Sequence, residues 1–293
     1  MRITDRWLRN DTPTVSFELY PARSPKAADK LEKVIDNLAA VKPDFVSVTF
    51  GAGGSTREGS YNLLKKLKDS KGLDVIGYFA GYGLSPAEIR TVLDSYQGLG
   101  IENILVVRGD KPHDPGEFEP HPDSFNYANE LMAFIRPKYD FCLGVAAYPE
   151  GHVEAESKET DLEYLKLKVD LGAEYIITNY TYDNQLFFDF RNRCQTAGIS
   201  VPILPGVMPI YSIKMMHSLA NLCGATINEQ LQSGLDALPE NDKIAVLEYG
   251  IDFAYDQCRE LLMNNVPGIH IYTMDRSKTA AEIVNRLRGD GLL

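Results

Sequence analysis

The amino-acid sequence predicts an α/β fold in which strand–helix units close into a (β/α)8 barrel, also called a TIM barrel. Strand-like patterns alternate with helical patterns about eight times within 293 residues, a length that suits one such barrel with extensions. Most strand patterns are continuous Val, Ile, Phe and Tyr runs, which are typical of parallel strands covered on both faces. The alternative is an open doubly wound sheet, but no single early glycine loop dominates the chain.

Eight segments have the composition of buried strands. Each is bounded by polar, glycine or proline residues, and polar side chains follow almost every one of them. We predict strands at 14–20, 44–50, 73–79, 103–108, 142–148, 174–180, 201–204 and 268–273.

Helical patterns lie between these strands. Ser24 and Ser85 each precede a proline, the arrangement of a helix N-cap followed by proline at the first helical position. The longest insertion, at about 225–265, predicts two extra helices between the seventh and eighth strands. We expect residues 1–293 to form a single barrel domain without a C-terminal regulatory domain. Further helices are predicted at 57–70, 124–136, 160–171, 184–197, 211–222 and 277–288.

Charge and composition exclude several classes of function. Lys and Arg total 30 against 41 Asp and Glu, and a net charge of −11 repels nucleic acid and anionic membranes. The four cysteines form no C-x-x-C pair, which favours free thiols in a reducing compartment. The N-terminus has no apolar signal-like core, and no stretch has the length of a membrane span. We therefore expect a cytoplasmic protein.

Glu18 is the first candidate for chemistry. It lies in the strand pattern 15–21 between apolar Phe17 and Leu19, so alternation directs its side chain to the barrel interior or mouth. A buried carboxyl group must be paired or have a raised pKa, and a raised pKa suits a general acid. A glutamate paired with a cation across the barrel is the structural alternative.

Other polar segments follow strands and would meet at the same mouth. The glycine-rich segment 49–56 suits close approach to a ligand, although a plain tight turn explains it equally well. Arg108 and Asp110 suit a polar heterocycle with a phosphate, or a structural ion pair. His152 has no neighbouring cluster of metal ligands, so no metal site is expected. Lys168 could reach a phosphate or only solvate a helix face.

Six segments in the same order resemble the methylenetetrahydrofolate reductase family, from Val15 to about Leu287. One such segment is weak evidence, whereas chance does not explain six in order. They are SFE (16–18), PDFVSVTFGAGGSTR (43–57), RGD-x-P (108–112), AAYPE-x-H-x-EA (146–155), K-x-K-VD-x-GA (166–173) and YTMDRS (272–277).

The resemblance implies a barrel that holds FAD and interconverts 5,10-methylenetetrahydrofolate and 5-methyltetrahydrofolate by hydride transfer. It implies that Glu18 is the general acid and that Asp110 stabilises the cationic intermediate and tunes the flavin. Substrate contacts are implied for Glu18, Asn179 and Arg276. Flavin contacts are implied for Thr49, Phe50, Ala52, Tyr78, Arg108, Gly109, Asp110, Ala128, Tyr148, His152, Ala155, Asp161 and Lys168.

The chain departs from well-studied bacterial members of the family in several places. Tyr78 stands where those members have a histidine, and Asn179 stands where they have a glutamine. Ile213 replaces an aromatic residue that packs on nicotinamide, although Tyr211 lies nearby. Two positions near the flavin's polar edge are Tyr164 and Leu167 in this chain. These changes leave NADH or a partner redox protein as the predicted electron donor.

Two other functions remain open on the sequence. The barrel could act on a different pterin that carries a methyl or methylene group. It could also be a non-catalytic subunit that binds folate or flavin, although Glu18 and Asp110 together argue against this. A homo-oligomer is expected by analogy with the family.

Overall fold

A computed structural model describes residues 1–9, 12–50, 57–109 and 119–293. Its eight parallel strands follow one another around a closed barrel in chain order, and the last strand pairs with the first. The predicted (β/α)8 fold is therefore confirmed. The strands are β1 (Thr14–Leu19), β2 (Phe45–Val48), β3 (Val75–Ala80), β4 (Asn103–Val107), β5 (Cys142–Ala147), β6 (Tyr175–Tyr180), β7 (Ile203–Val207) and β8 (Gly268–Tyr272).

Helices surround this barrel on the outside and lie at both of its ends. Several begin where the sequence places a cap: the Ser85 hydroxyl accepts from the Glu88 N–H, and the Glu88 carboxylate accepts in return from the Ser85 N–H. In the described residues the helices are α1 (Thr4–Arg9), α2 (Pro25–Ala40), α3 (Arg57–Lys71), α4 (Pro86–Gly98), α5 (Ala128–Ile135), α6 (Lys158–Asp170), α7 (Asn184–Thr196), α8 (Ile213–Cys223), α9 (Glu229–Asp236), α10 (Lys243–Met263) and α11 (Ser277–Gly289).

Strand alternation separates the barrel interior from the layer under the helices. On β1, Phe17 and Leu19 belong to the large core between strands and helices. Glu18 points the other way, and in the register of the sheet it lies beside Ser47 of β2 and Tyr272 of β8. The closed ring of strands thus carries a carboxyl group and several hydroxyl groups into its interior.

The N-terminal helix α1 is a feature that sequence reasoning missed. Ile3 is buried, and the Trp7 ring lies 6.4 Å from the Phe45 ring and 6.0 Å from the Tyr175 ring, so α1 closes the amino-terminal end of the barrel. Its Arg6 pairs with carboxylates at the start of neighbouring strand segments. A helix of six residues shows too little periodicity to be recognised from sequence.

The insertion between β7 and β8 contains the two predicted extra helices, α9 and α10, within residues 225–265. Helix α10, within the segment predicted as the insertion, packs against β7, β8, α7 and α11 and completes the outer ring. Residues from α8 and α9 instead join side chains from the ends of β6 and β7 in a separate apolar cluster. Periodicity showed the helices but could not show which of them packs on the barrel.

The seventh strand was predicted to end at Leu204, and this boundary was wrong. Proline normally interrupts a strand because it has no N–H, yet β7 continues through Pro205 and Gly206. The Gly206 N–H donates to the Thr178 hydroxyl at 3.0 Å, so a side chain supplies the acceptor where the β6–β7 pairing is irregular.

Two other sequence expectations concern cysteines and membranes. The four cysteines are free thiols, and three of them are buried. Among the described residues, no helix combines the length and the apolar character that a membrane crossing requires.

The packing inside the barrel predicts a severe effect of Gly144→Ala in β5. A β-carbon at Gly144 would overlap the ring of Tyr175, whose hydroxyl donates to the Ile104 carbonyl at 3.1 Å. We expect the free energy of unfolding to fall by at least about 2 kcal/mol, measured by chemical denaturation. Gly98→Ala on α4, where the added carbon meets open space, is the control and should leave stability unchanged or slightly higher. Equal stability of the two variants would contradict this packing.

Candidate active site

A cavity of about 590 Å³ opens at the carboxyl ends of the barrel strands. This size is within the range of small-molecule and cofactor sites, and the carboxyl end is where barrel enzymes place their chemistry. The structure brings together here most of the site residues that the resemblance implied. Those that line it are Glu18, Thr49, Phe50, Tyr78, Arg108, Gly109, Ala128, Tyr148, His152, Ala155, Asp161 and Lys168.

Glu18 lies at the barrel side of this cavity and is 3% exposed. Removal from water raises the pKa of its carboxyl group to about 7, and the nearby Asp275 carboxylate acts in the same direction. Hydrogen bonds from the hydroxyls of Tyr20 and Tyr78 favour the charged form and limit the rise. The carboxyl group is therefore able both to give and to accept a proton near neutral pH.

One wall of the cavity is apolar and closely packed. The apolar residues Phe50, Ala80 and Ala146 contribute to it. Gly109 has a φ of 90° in the left-handed region, and a β-carbon there would lie 2.9 Å from the β-carbon of Ala80. Glycine at this position lets the backbone approach the wall, which leaves a surface suited to the face of a planar ring.

The lining of the cavity also carries cationic groups. The Lys168 ammonium is buried and donates to the Ala146 carbonyl at 3.0 Å. Burial lowers its pKa to about 8, while the carboxylate of Asp161 acts in the opposite direction. Arg108 is held by an ion pair with Glu154 and donates to the Gly109 carbonyl at 3.2 Å. These two side chains could bind a phosphate-bearing ligand.

Local hydrogen bonds order the segment that follows β5. The His152 N–H donates to the Asp161 carboxylate at 3.2 Å, and the His152 ring accepts from the Glu154 N–H at 3.1 Å. The ring of Tyr148 meets the His152 ring edge-on, with centroids 4.6 Å apart. His152 is thereby oriented at the rim of the cavity by three neighbours.

Two implied substrate residues lie outside the lining of this cavity as the described residues define it. The Asn179 side chain accepts from the N–H of Tyr180 at 2.9 Å, at the irregular part of β6. Arg276 is exposed and lies over the Tyr211 ring, 5.3 Å from its centroid. Asn179 is the penultimate residue of β6, and Arg276 follows β8, so both lie at the carboxyl end of the barrel. Asp110 and Ala52 fall outside the described residues.

Sequence reasoning gave no specific role to Tyr20, Asp275 or Tyr127, which lie around the cavity or beside its Glu18 carboxyl group. Tyr20 lies two positions after Glu18, so strand alternation could have placed it on the same face. Asp275 follows β8, and its charge acts on Glu18 because the closed barrel pairs β8 with β1. The exposed rings of Tyr127 and Tyr164 stack at the rim, 6.5 Å apart, although α5 and α6 are distant in sequence.

The sequence also suggested no metal site. Within residues 1–9, 12–50, 57–109 and 119–293, no group of three or more His, Cys, Asp and Glu side chains is arranged to hold a metal ion. The polar groups of the described lining are carboxyl, phenol, ammonium, guanidinium, imidazole, hydroxyl and amide groups.

Comparison with known proteins decides the family. The model of the methylenetetrahydrofolate reductase family matches residues 3–288. The chain belongs to the methylenetetrahydrofolate reductase family. The resemblance seen in the six sequence segments is thus confirmed over nearly the whole chain, and with it the prediction of an enzyme of this family.

Relatives in this family differ in total length. The 5,10-methylenetetrahydrofolate reductase of Escherichia coli is 36% identical over 276 residues, which cover 93% of this chain and 90% of that protein. Methylenetetrahydrofolate reductase (NADH) 1 of Arabidopsis thaliana is 34% identical over 283 residues. That match covers 93% of this chain but 48% of the plant protein, so the chain spans about half the length of this family member.

A solved structure also shares the barrel. It is an uncharacterised protein from Clostridium thermocellum that binds two copies of 5-methyl-5,6,7,8-tetrahydrofolic acid, and its TM-score with this chain is 0.65. The match covers 99% of this chain and 100% of the other at 17% sequence identity. At this identity the likeness shows the fold alone.

The raised pKa of Glu18 predicts a pH-dependent stability difference for Glu18→Gln in this family member. In the unfolded chain the carboxyl ionises with its ordinary pKa of 4.5, but in the folded protein it ionises near pH 7. Below pH 4.5 both states hold the proton. Between pH 4.5 and about 7 the unfolded chain ionises more readily than the folded protein, so ionisation increasingly favours unfolding. Above about pH 7 both states are ionised and the difference levels off.

We expect Glu18→Gln to gain stability relative to the unchanged protein as the pH rises from 5 to 8, by about 2 kcal/mol. Denaturant unfolding at several pH values measures this difference. Glu248→Gln, at an exposed position on α10, is the matched control and should show no such trend. A difference for Glu18→Gln that stays constant with pH would show that Glu18 ionises normally.

Proposed function

We propose that this chain interconverts 5,10-methylenetetrahydrofolate and 5-methyltetrahydrofolate, with FAD as the hydride carrier. The observation that carries the proposal is the buried Glu18 carboxyl, with a pKa of about 7, at a cavity of about 590 Å³. Membership of the methylenetetrahydrofolate reductase family supports the same reaction.

The proposed role of Glu18 is to hold and deliver one proton. Opening the five-membered ring of 5,10-methylenetetrahydrofolate requires a proton on the folate nitrogen that leaves the bridging carbon. The protonated Glu18 carboxyl supplies it, and the resulting iminium carbon then accepts a hydride. In the opposite direction the Glu18 carboxylate takes the proton back. Burial keeps a useful fraction of both forms near neutral pH.

The cavity has the chemistry that FAD requires. Bound FAD would supply or accept the hydride. Phe50, Ala80 and Ala146 offer apolar surface to a planar ring, and Gly109 allows close approach. Lys168 offers a buried ammonium to an anionic phosphate, and Arg108 offers a guanidinium at the rim. The remaining flavin contacts implied by the resemblance, including Asp110 and Ala52, stay predictions.

The proposed folate contacts of Asn179 and Arg276 also stay predictions, and the electron donor is NADH or a partner redox protein. We infer that NADH is a poor donor because Ile213 stands where an aromatic residue would pack on nicotinamide. Ile213 packs into the apolar cluster formed with α8 and α9, and the nearby Tyr211 ring already carries the Arg276 guanidinium on one face. Steady-state turnover with NADH at the rate of an ordinary family member would contradict this inference.

Anaerobic titration of the FAD-loaded protein with 5-methyltetrahydrofolate tests the proposed reaction. We expect the oxidised flavin absorbance to bleach as hydride passes to the flavin. In Glu18→Gln the reoxidation of reduced flavin by 5,10-methylenetetrahydrofolate should slow at least about 100-fold, because the side chain no longer donates the proton that opens the ring. Glu248→Gln should reoxidise at the unchanged rate.

An unchanged spectrum, with FAD demonstrably bound, would mean that this barrel acts on a different substrate. Reoxidation by 5,10-methylenetetrahydrofolate at equal rate in both glutamine variants would show instead that Glu18 is not the proton donor.

Lys168 predicts proton uptake when a phosphate-bearing ligand binds. Its pKa is about 8 in the free protein, and a bound anion favours the ammonium and raises that pKa. At pH 8, where roughly half of the free side chains are neutral, binding should take up about half a proton; at pH 6 it should take up almost none. Calorimetric titration with ADP or FAD in buffers of different ionisation enthalpy measures this.

Lys168→Met should abolish the uptake and weaken binding. Lys166→Met removes a half-buried lysine on the same helix, which does not line the cavity and pairs with Asp170, and should leave both unchanged. Proton uptake that survives in Lys168→Met would place the responsible group elsewhere.

A further inference from the structure

A column of polar side chains lies inside the barrel beneath Glu18. His270 is fully buried on β8; its Nδ1 lies 2.8 Å from the Ser16 hydroxyl and its Nε2 lies 3.3 Å from the Ser47 hydroxyl. Ser47 hydrogen-bonds in turn to the Tyr78 hydroxyl, and Tyr78 hydrogen-bonds to the Glu18 carboxyl. Four strands thus contribute to one continuous chain of hydrogen bonds.

The direction of these hydrogen bonds follows from the acceptor at the end of the column. The Glu18 carboxylate only accepts, so the Tyr78 hydroxyl donates to it, and Ser47 must then donate to the Tyr78 oxygen. Ser47 has one proton, so the His270 Nε2 donates to Ser47. The His270 Nδ1 is then an acceptor, and the single Ser16 hydroxyl proton is shared between this nitrogen, at 2.8 Å, and the Ile269 carbonyl, at 3.2 Å. Burial lowers the pKa of His270 to about 3, which keeps the ring neutral.

Asp275 acts on Glu18 from the opposite direction. It follows β8, accepts from the Tyr20 N–H at 3.5 Å, and its negative charge disfavours the ionised form of Glu18. Burial also raises the pKa of the Asp275 carboxyl, against which the cation of Lys30 on α2 acts. Glu18 therefore lies between a phenol donor that stabilises its charge and a carboxylate that opposes it.

We propose that Tyr78 is a positioning residue, held by Ser47 and His270, which together with Asp275 sets the pH at which Glu18 exchanges its proton with a ligand in the cavity. This deepens the proposed function and rests on it for its catalytic meaning. The neutral His270, in its Nε2–H form, acts through two hydroxyl groups and does not itself titrate near neutral pH.

The other described groups around Glu18 have separate effects. Tyr20, on the same strand, donates a second hydrogen bond to the Glu18 carboxyl. Tyr272 on β8 interacts electrostatically with Glu18, but its hydroxyl donates to the Thr178 carbonyl at 2.8 Å. Removing the Tyr78 hydroxyl therefore leaves Glu18 with one phenol donor and a nearby carboxylate.

Infrared titration of the Glu18 carboxyl group in the purified 293-residue chain tests the proposal. The band is isolated by subtracting spectra of Glu18→Gln, and its midpoint is followed with pH. Tyr78→Phe should move the midpoint upward by about one pH unit, because a hydrogen bond to the charged form is lost. Ser47→Ala should move it upward by less, since Tyr78 keeps its hydroxyl but loses its anchor.

Asp275→Asn should move the midpoint downward, because the opposing charge is removed. Tyr139→Phe is the matched control. Tyr139 lies between α5 and β5, and its hydroxyl donates to Asp94 of α4 at 2.7 Å, so its loss should not affect Glu18. Nitrogen-15 chemical shifts of His270 should show a proton on Nε2. Retained midpoints in both Tyr78→Phe and Ser47→Ala, or a proton on Nδ1, would overturn the proposal.

The readout separates this proposal from the proposed function. The Glu18 titration requires neither FAD nor folate. Failure of 5-methyltetrahydrofolate to bleach the flavin, with shifted midpoints, would therefore refute the reaction and leave the role of Tyr78 in the titration of Glu18 intact. Bleaching with unshifted midpoints would refute the role of Tyr78 alone.

Discussion

Burial of the Glu18 carboxyl group inside the closed barrel is the constraint on which the rest of the site depends. A carboxylate taken from water into a protein interior is costly unless it is hydrogen-bonded or protonated. The barrel meets this cost partly with the hydroxyls of Tyr20 and Tyr78, and the residual cost appears as a pKa near neutrality. The burial of this carboxyl group, which destabilises the folded protein, thus also provides a proton at the cavity.

Both ends of the barrel contribute to the low-dielectric surroundings of this group. At the amino end, Trp7 of α1 and Ile3, just before this helix, pack against the interior side chains and exclude solvent. At the carboxyl end, α8 and α9 build an apolar cluster over the ends of β6 and β7. The described lining of the cavity comes from β1 to β5, the segments that follow them, and the helices α5 and α6.

Polar groups inside the barrel and at the cavity are hydrogen-bonded in two ways that have different consequences. Ser16, Ser47 and His270 satisfy one another in a fully buried position, where a neutral imidazole links two hydroxyl groups. Within the described residues, Lys168 instead has one carbonyl acceptor, Ala146, and it lines the cavity, where it could change partner. The first arrangement orients neighbouring groups, whereas the second suits an anionic ligand, because only the second is left with unused donors.

The sequence by itself determined the repeated strand–helix order, the inward direction of Glu18 and the family, because periodicity and motif order are local properties of the chain. It also placed at one mouth the residues that the structure finds around one cavity. Only the tertiary structure decided that α1 closes the barrel, that α10 and not α8 completes the outer ring, and that Tyr78 and Asp275 meet at Glu18. These contacts join residues as far apart as 18 and 275, and such distances are set by barrel closure and not by any local pattern.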